Sequence, residues 1–555
     1  MNIAQRLAQA ARRSPDKAAV IPAWAPRRAV TFGQLDRDAD LLAAGFRAVG
    51  VADGCRTILM VRPSPEFFAL VFALFRAGAV PVLVDPGMGR ASLVDCLART
   101  KADAFIGIPL AHLLRTMHRR RLPARVRVVV GGAWPGCLTL AALRRAGARG
   151  VAGLASAPDR SPAAGPAPGD LAAILFTTGS TGPPKGVEYT HATFGAQVRA
   201  LEETYGFGPD EIDLPTFPLF ALFDAALGIT AVLPRMDYTR PGTVDPAAIL
   251  GVARRWNVTT MFGSPALLRR VAGAGPAAGR FPDSLRRVIT AGAPVAPDIL
   301  KSFAALLPPG AEIHTPYGAT EALPVADIGH REILEDTAAR TAAGEGVCVG
   351  RVVAGVEVAI MEIDDGPVAR FDDALRLPTG AIGEIAARGD RVTQGYFGDG
   401  AATALHKMRD TRGTDGPRWH RMGDIGRFDD AGRLWMLGRK GHRVSAAGGD
   451  LFTEPVEARL AAHSGGRRVA LVALGARPAQ TPAALVECAR KPTSADDAAV
   501  SAVRDFAAAT HGLNAIRHVV AYPGPFPVDI RHNAKIFREK LAVWAAARSA
   551  EGGLP

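Results

Sequence analysis

The sequence predicts an α/β protein of at least two domains, and three observations carry that expectation. The chain has 555 residues, well beyond the roughly 250–300 at which a single hydrophobic core stops growing. Apolar runs rich in β-branched residues alternate with helix-period segments along most of its length, the pattern of parallel strands joined by crossover helices. Near the C-terminal end, Gly438, Gly441, Gly448 and Gly449 crowd together with Arg439, Lys440, His442 and Arg443. A small C-terminal domain is expected to begin there.

The elements follow in order. Met1 to Arg13 carries Arg6, Arg12 and Arg13 without a long apolar run or a cleavage-like site, so no secretory signal is expected and a cytoplasmic location follows. Glu66 to Phe75 reads as a helix, and Val80 to Val84, Val126 to Val130 and Leu171 to Phe176 read as strands, each bounded by Gly or Pro. The longest apolar stretch, Phe67 to Val84, is broken by Arg76 and Pro81, short of the about 20 mostly apolar residues of a membrane span. It therefore reads as a buried helix followed by a strand. Gly150 to Asp170, rich in Gly, Ala, Ser and Pro, reads as a mobile surface connection between subdomains. No repeat of fixed period is present.

Composition narrows the function classes. Hydrophobic residues make up 48% and charged residues 21% of the chain, the balance of a globular protein. The net charge of +13 comes from arginines spread along the chain, a distribution that does not mark a nucleic-acid face. It suits attraction of polyanionic ATP, an acidic partner or a membrane surface equally well. Cys55, Cys96, Cys137, Cys348 and Cys488 are scattered and form no CxxC pair, so neither a disulfide framework nor a zinc site is expected.

The segment richest in chemistry runs from Leu171 to Gly186. An apolar strand feeds a loop of Thr177, Thr178, Gly179, Ser180, Thr181 and Gly182, then two prolines, Lys185 and Gly186. Glycines let backbone N–H groups approach a phosphate, hydroxyls donate further hydrogen bonds, and the lysine supplies a point charge. The pattern is not a Walker loop, which needs Gly-Lys-Ser/Thr where this chain has Pro184, Lys185 and Gly186. It resembles the phosphate loop of the adenylate-forming superfamily of acyl-CoA synthetases, fatty acyl-AMP ligases, luciferases and adenylation domains.

Further resemblances to that superfamily occur in order along nearly the whole chain. Arg287 to Pro294 looks like the strand and turn that line the adenine pocket, which implies nucleotide contacts from Gly292, Ala293 and Pro294; by itself it is an ordinary strand-to-glycine turn. Tyr317, Gly318, Ala319, Thr320 and Glu321 match the signature in which Tyr stacks on adenine, Thr contacts phosphate and Glu holds Mg²⁺. A hard cation held by one or two carboxylates plus substrate phosphates is reasonable chemistry, although a lone Thr-Glu pair also reads as a helix start. Asp424, at the end of His420 to Asp424, matches the carboxylate that accepts from both ribose hydroxyls, and Arg439 matches the arginine reaching the same ribose. Lys535, preceded by Ala534 where the superfamily has Gly, matches the catalytic lysine of its mobile C-terminal domain. The resemblance thus implies an α/β fold with a large N-terminal adenylate-forming domain, residues 1–438, and a smaller mobile α+β domain, residues 439–555. ATP and Mg²⁺ are the implied cofactors.

Met60 to Glu66, Asp213 to Pro218, Phe220 to Asp224 and Phe526 to Lys535 are most similar to the olefin β-lactone synthetases of bacterial long-chain hydrocarbon biosynthesis. That resemblance implies a long-chain 2-alkyl-3-hydroxy acid substrate whose own hydroxyl attacks the acyl-adenylate, with possible association with other enzymes of the hydrocarbon pathway. Two departures from the acyl-CoA synthetase pattern agree with it: Phe220 stands where many relatives carry histidine, and Gly441 stands at the hinge, where others carry an acidic residue or lysine. Phe217, Phe220 and Phe223 suit a wall for alkyl chains and suit core packing equally. His191 and His314 are nominal bases for ring closure, and neither is assigned. The rivals are a long-chain fatty acyl-CoA or acyl-AMP ligase and, in another class, a catalytically silent nucleotide-binding protein.

Overall fold

Ser64 starts the helix around which the N-terminal core is organised. Its Oγ accepts from Phe67 N at 3.3 Å, Pro65 occupies the first turn and Glu66 lies near the positive end of the helix dipole. The helix Pro65–Arg76 is buried on nearly every side, as a helix apolar all round must be. In the computed structural model, which describes residues 2–84, 88–155, 165–177, 184–412, 417–491, 493–528 and 536–550, this helix joins a core shared by two seven-stranded sheets.

In the first sheet Val80–Val84 pairs in parallel with both Arg56–Met60 and Leu171–Thr177. Lys185–Thr190 returns antiparallel at the edge, in a register that sets Lys185 opposite Thr177. In the second sheet Ile212–Pro215, Thr230–Leu233, Thr260–Phe262, Arg287–Ile289 and Glu312–His314 run parallel. A third, antiparallel sheet contains Tyr317–Ala319, Ala322–Asp327, Trp419–Phe428 and Leu434–Arg439. Beyond Arg439 the single 3-10 turn Lys440–His442 leads to a three-stranded sheet of Val469–Leu474, Thr481–Cys488 and His518–Pro523. Around it lie the helices Thr453–Ala461, Ser494–Ala509 and Arg538–Ala550 and a core of their own.

The expected helix and three strands are present with ends shifted by at most one residue. The expected connection over Gly150 to Asp170 is corrected in its first part. The helix Leu140–Ala155 runs through Val151 to Ala155, because Ala152, Leu154 and Ala155 favour helix more than Gly153 opposes it; residues 156–164 of the expected connection lie outside the described residues. Among the described residues no helix is long and apolar enough to cross a membrane.

Candidate active site

One large cavity, about 1700 Å³ in volume, runs from the edge of the first sheet to the loop after the second, and ten of the expected site residues that fall among the described residues line it. Lys185, Gly292, Gly318, Ala319, Thr320, Glu321 and Arg439 line one region, and Phe217, Phe220 and Phe223 line another. Thr178, Gly179, Ser180, Thr181, Gly182 and Lys535 lie outside the described residues, as does the side chain of Thr177.

Lys185 owes its position to the antiparallel return from Leu171–Thr177. Gly186 follows because a Cβ there would stand 2.8 Å from the Phe176 ring and 3.0 Å from Ile174, so packing alone accounts for this glycine. Lys185 Nζ is 2.8 Å from His406 Nε2 and 5.3 Å from the centre of the Tyr396 ring. Burial lowers the Lys185 pKa, against the opposing pull of Glu321 and Asp399. Burial also drives His406 down to about 3, assisted by Lys185, Lys440, Arg421 and Lys407. A neutral imidazole accepting from the lysine ammonium satisfies both shifts.

Glu321 Oε1 accepts from the Tyr396 hydroxyl at 2.6 Å. The Thr320 carbonyl accepts from the buried hydroxyl of Tyr189. The turn carrying both residues is therefore held from the first sheet and from the strand-end loop at Tyr396. Lys407 lies behind it, almost fully buried, donating to the carbonyl of Thr393 at 2.5 Å and to its hydroxyl at 3.1 Å. Burial brings this lysine down to about 7, with Glu321 pulling the other way.

Tyr317 is buried in the core of the antiparallel sheet, and its hydroxyl donates to Asp424 Oδ2 at 2.6 Å. Arg439 Nε faces Asp424 Oδ1 at 3.0 Å, across a register in which Asp424 and Arg439 are Cα partners on neighbouring strands. The pairing that builds the sheet thereby builds the ion pair. At the second sheet, Gly292 takes φ +102° in the turn after Arg287–Ile289, a backbone region open chiefly to glycine. Ala293 is half-buried and Pro294 exposed, and neither lines the cavity.

The aromatic region is both wall and core. Phe220 stacks on Phe262 with ring centres 4.1 Å apart and planes 13° apart, while Phe217, Phe220 and Phe223 pack against the N-terminal core. Behind Phe220 and Phe223 a chamber of about 40 Å³ is lined by Asp213 and Asp224. Burial raises Asp213 to about 7 and pushes Asp224 well above the usual carboxylate range, with the negative charge of Asp213 adding to the second shift.

Neither nominal histidine reaches the cavity. His191 packs edge-on to Phe75 at 5.6 Å, and burial lowers its pKa to about 4. His314 Nδ1 pairs with Asp327 Oδ2 at 2.8 Å. Two other histidines line the cavity: His420, which opens the segment ending at Asp424, and His406, which no motif surrounds. Gly441 sits in the 3-10 turn between Lys440, paired with Glu384 at 3.0 Å, and Arg443, paired with Asp365 at 2.8 Å.

A model of the family described as AMP-binding enzyme matches residues 7–397 of the chain. The chain belongs to the AMP-binding enzyme family. Members of this adenylate-forming family use ATP. The olefin β-lactone synthetase of Stenotrophomonas maltophilia is 48% identical over 98% of this chain and 98% of its own length. That of Xanthomonas campestris pv. campestris is 46% identical over 98% and 97%. Among solved structures, an amide bond synthetase from Marinactinospora thermotolerans superposes with a TM-score of 0.75 at 24% identity, covering 98% of this chain and 99% of its own. The o-succinylbenzoate CoA synthetase of Bacillus subtilis gives 0.72 at 19% identity, with 97% of each chain covered. The adenylate-forming fold read from the phosphate loop is thus the fold of this protein.

Proposed function

We infer that this protein joins ATP to a long-chain 2-alkyl-3-hydroxy acid as an acyl-adenylate and then closes that intermediate to a β-lactone. The observation that carries the reading is the continuity of one cavity from Lys185, Thr320, Glu321 and Arg439 to Phe217, Phe220 and Phe223. At about 1700 Å³ it exceeds the roughly 300–1,000 Å³ of an ordinary small-molecule pocket. It therefore suits a nucleotide together with two alkyl chains. The near full-length likeness to two olefin β-lactone synthetases supports the same substrate.

In the first step a carboxylate oxygen of the acid bonds to the α-phosphorus of ATP and pyrophosphate leaves. Lys185 and the loop from Thr177 to Gly182 hold phosphate oxygens, Asp424 and Arg439 hold the ribose, and Gly292, the residue of its turn that lines the cavity, borders the adenine. Lys535 neutralises the charge that develops on the carboxylate and α-phosphate, the kind of stabilisation that acts on the transition state. The Glu321 carboxylate faces the cavity with Oε1 bound to Tyr396, so one carboxylate beside substrate phosphates fits the usual surroundings of Mg²⁺. When bound, Mg²⁺ would screen phosphate charge.

In the second step the substrate's 3-hydroxyl oxygen bonds to the acyl carbon, its proton departs, and AMP leaves with the bonding electron pair. Holding hydroxyl and carbonyl together in a closed apolar site supplies effective molarities on the order of 10⁵–10⁸ M. Residues 1–438 form the adenylation domain in this reading, and residues 439–555 a mobile domain that delivers Lys535 by rotation about Gly441. The cytoplasm is the proposed location, and other enzymes of the hydrocarbon pathway are proposed partners. The test is product analysis by mass spectrometry and NMR with ATP, Mg²⁺ and a 2-alkyl-3-hydroxy acid, with and without CoA. Lactone, AMP and pyrophosphate without CoA are expected. A CoA thioester as the main product would overturn the lactone step and leave adenylation standing.

A further inference from the structure

The helix Pro109–Met117 buries few apolar side chains. Beside Ala111, its inward side carries polar residues: His112 is fully buried with Nε2 2.9 Å from the Val128 carbonyl, and Arg115 is 8% exposed. Its outward side carries Leu110, Leu113 and Met117, which are 65%, 44% and 64% exposed. With half-buried Leu114 these positions form an i, i+3, i+4, i+7 stripe, the spacing by which a helix ordinarily seeks a core. Leaving such side chains in water forgoes the stabilisation that covering their apolar surface would bring. An apolar stripe turned outward marks a surface that something covers.

The chemistry around the stripe indicates what covers it. Leu110, Leu113, Leu114 and Met117 line the large cavity, as do Trp24, which is 43% exposed, and the exposed residues Arg62, Arg90 and Arg235. The helix runs directly into His118, Arg119, Arg120 and Arg121, the three arginines all exposed. Arg121 is paired with Asp95 at 2.6 Å. Asp237 is the acidic exception among the lining residues on this side; hydrogen bonds from Thr239, and then the charges of Arg240 and Arg62, lower its pKa. Leucine and methionine on the helix, with Trp24 beside them and arginines at the rim, make up a surface suited to a bilayer interface, with cations placed for anionic headgroups.

We propose that the Pro109–Met117 helix and its arginine rim dock this protein onto an anionic lipid surface, so that the cavity mouth opens toward the bilayer. On the proposed function the substrate is an acid with long alkyl chains, which resides in lipid and is costly to move through water. A mouth resting on the bilayer lets the chains pass from one apolar medium to another. The surface itself stands on exposure and charge, and it holds whether or not the product is a lactone.

Vesicle flotation of the full-length protein tests the proposal, with phosphatidylcholine vesicles compared with vesicles that also contain phosphatidylglycerol. Binding to the anionic vesicles is expected, weakening as salt is raised. The triple variant Leu110→Ser, Leu113→Ser, Met117→Ser should float roughly tenfold less, as should Arg119→Glu with Arg120→Glu. All the substituted residues are exposed, and an unchanged melting temperature confirms that each variant is folded. Failure of the wild type to float, or equal flotation of the triple variant, overturns the proposal. So does a dimer that the triple variant dissolves, because the stripe would then belong to a second copy of this chain.

Discussion

Lys185 Nζ stands 2.8 Å from His406 Nε2, and this contact joins the strand after the glycine-rich loop to an imidazole kept neutral by burial and by surrounding cations. A hydrogen bond from a charged donor is worth about 1.5–3 kcal/mol. His406→Phe keeps a ring but removes the acceptor, so pyrophosphate exchange should fall about tenfold or more. The pH dependence of stability supplies a second readout. His406 falls from an ordinary 6.5 to about 3, so the unfolded chain takes up a proton in acid that the native chain refuses. Stability present above 6.5 is therefore lost as pH falls toward 3. His406→Phe should flatten the decline in melting temperature between about pH 7 and 5; an unchanged slope would remove His406 from that balance.

Asp213 and Asp224 give the opposite sign. Asp213 is raised from 3.8 to about 7 and Asp224 well above 3.8, so the native pair retains protons that the unfolded chain releases. Stability from this pair is present below about 4 and is lost as pH rises toward 7. Asp224→Asn keeps a hydrogen-bonding neighbour and removes the like charge. Its melting temperature should exceed that of the wild type by about 2 °C or more at pH 8, with a smaller gain at pH 5. An equal gain at both pH values would show that the two carboxyls do not titrate together.

Much of the fold was legible because its signals are local. The helix over Glu66 to Phe75 and the strands at Val80, Val126 and Leu171 announce themselves through apolar runs ended by Gly or Pro. Lys185, Glu321 and Arg439 were legible because each sits in a motif, and they do share one cavity. What escaped depends on pairs far apart in the chain. Tyr317 reaches Asp424 only because their strands belong to one antiparallel sheet. His406 and Lys407 gain their character from burial beside cations and Glu321, and burial leaves no mark on a short polar stretch. The outward apolar stripe of Pro109–Met117 was hidden for a related reason. Periodicity reveals that a helix is amphipathic but not which face is packed.

Tyr317→Phe isolates the link to Asp424. Removing the 2.6 Å hydrogen bond leaves the Arg439 pair at 3.0 Å and loosens the carboxylate proposed to hold the ribose. The loss of about 1 kcal/mol should appear as a roughly fivefold rise in KM for ATP with kcat nearly unchanged, the mark of binding shared by ground and transition states. Steady-state kinetics at varied ATP checks it. An unaltered KM would confine this hydrogen bond to sheet stability.

Lys535→Ala should abolish most adenylation while ATP binding persists, because the proposed contact belongs to the transition state. Equilibrium ATP binding and pyrophosphate release are measured on the same preparation. Release within about threefold of wild type would exclude the lysine from a role of that size. Gly441→Pro should slow turnover without emptying the nucleotide site, since it stiffens the turn between Lys440 and Arg443; unchanged turnover would remove Gly441 as the hinge.

Phe220 separates two spaces of unlike character. On one side lies the large cavity; on the other the chamber of about 40 Å³ holds Asp213 and Asp224. Its ring stacks on Phe262 at 4.1 Å, which holds the partition in place with both carboxyls buried behind it. Phe220→Ala would join the spaces, admit water beside the two aspartates and leave the wall without its flattest face. Two consequences are expected together. The kcat/KM for long-chain acids should fall about tenfold relative to short-chain acids, since the lost contact acts on the chains and not on the carboxylate. The decline in stability between about pH 4 and 7 should also shrink, because hydrated aspartates ionise closer to their ordinary range. Phe220→Leu, which keeps the partition apolar, should restore most of both properties. Competition between acids of graded length, paired with melting curves across pH, reads the two effects separately. If chain-length selectivity stays at the wild-type value in Phe220→Ala, the aromatic face is core alone and the alkyl chains run elsewhere in the cavity.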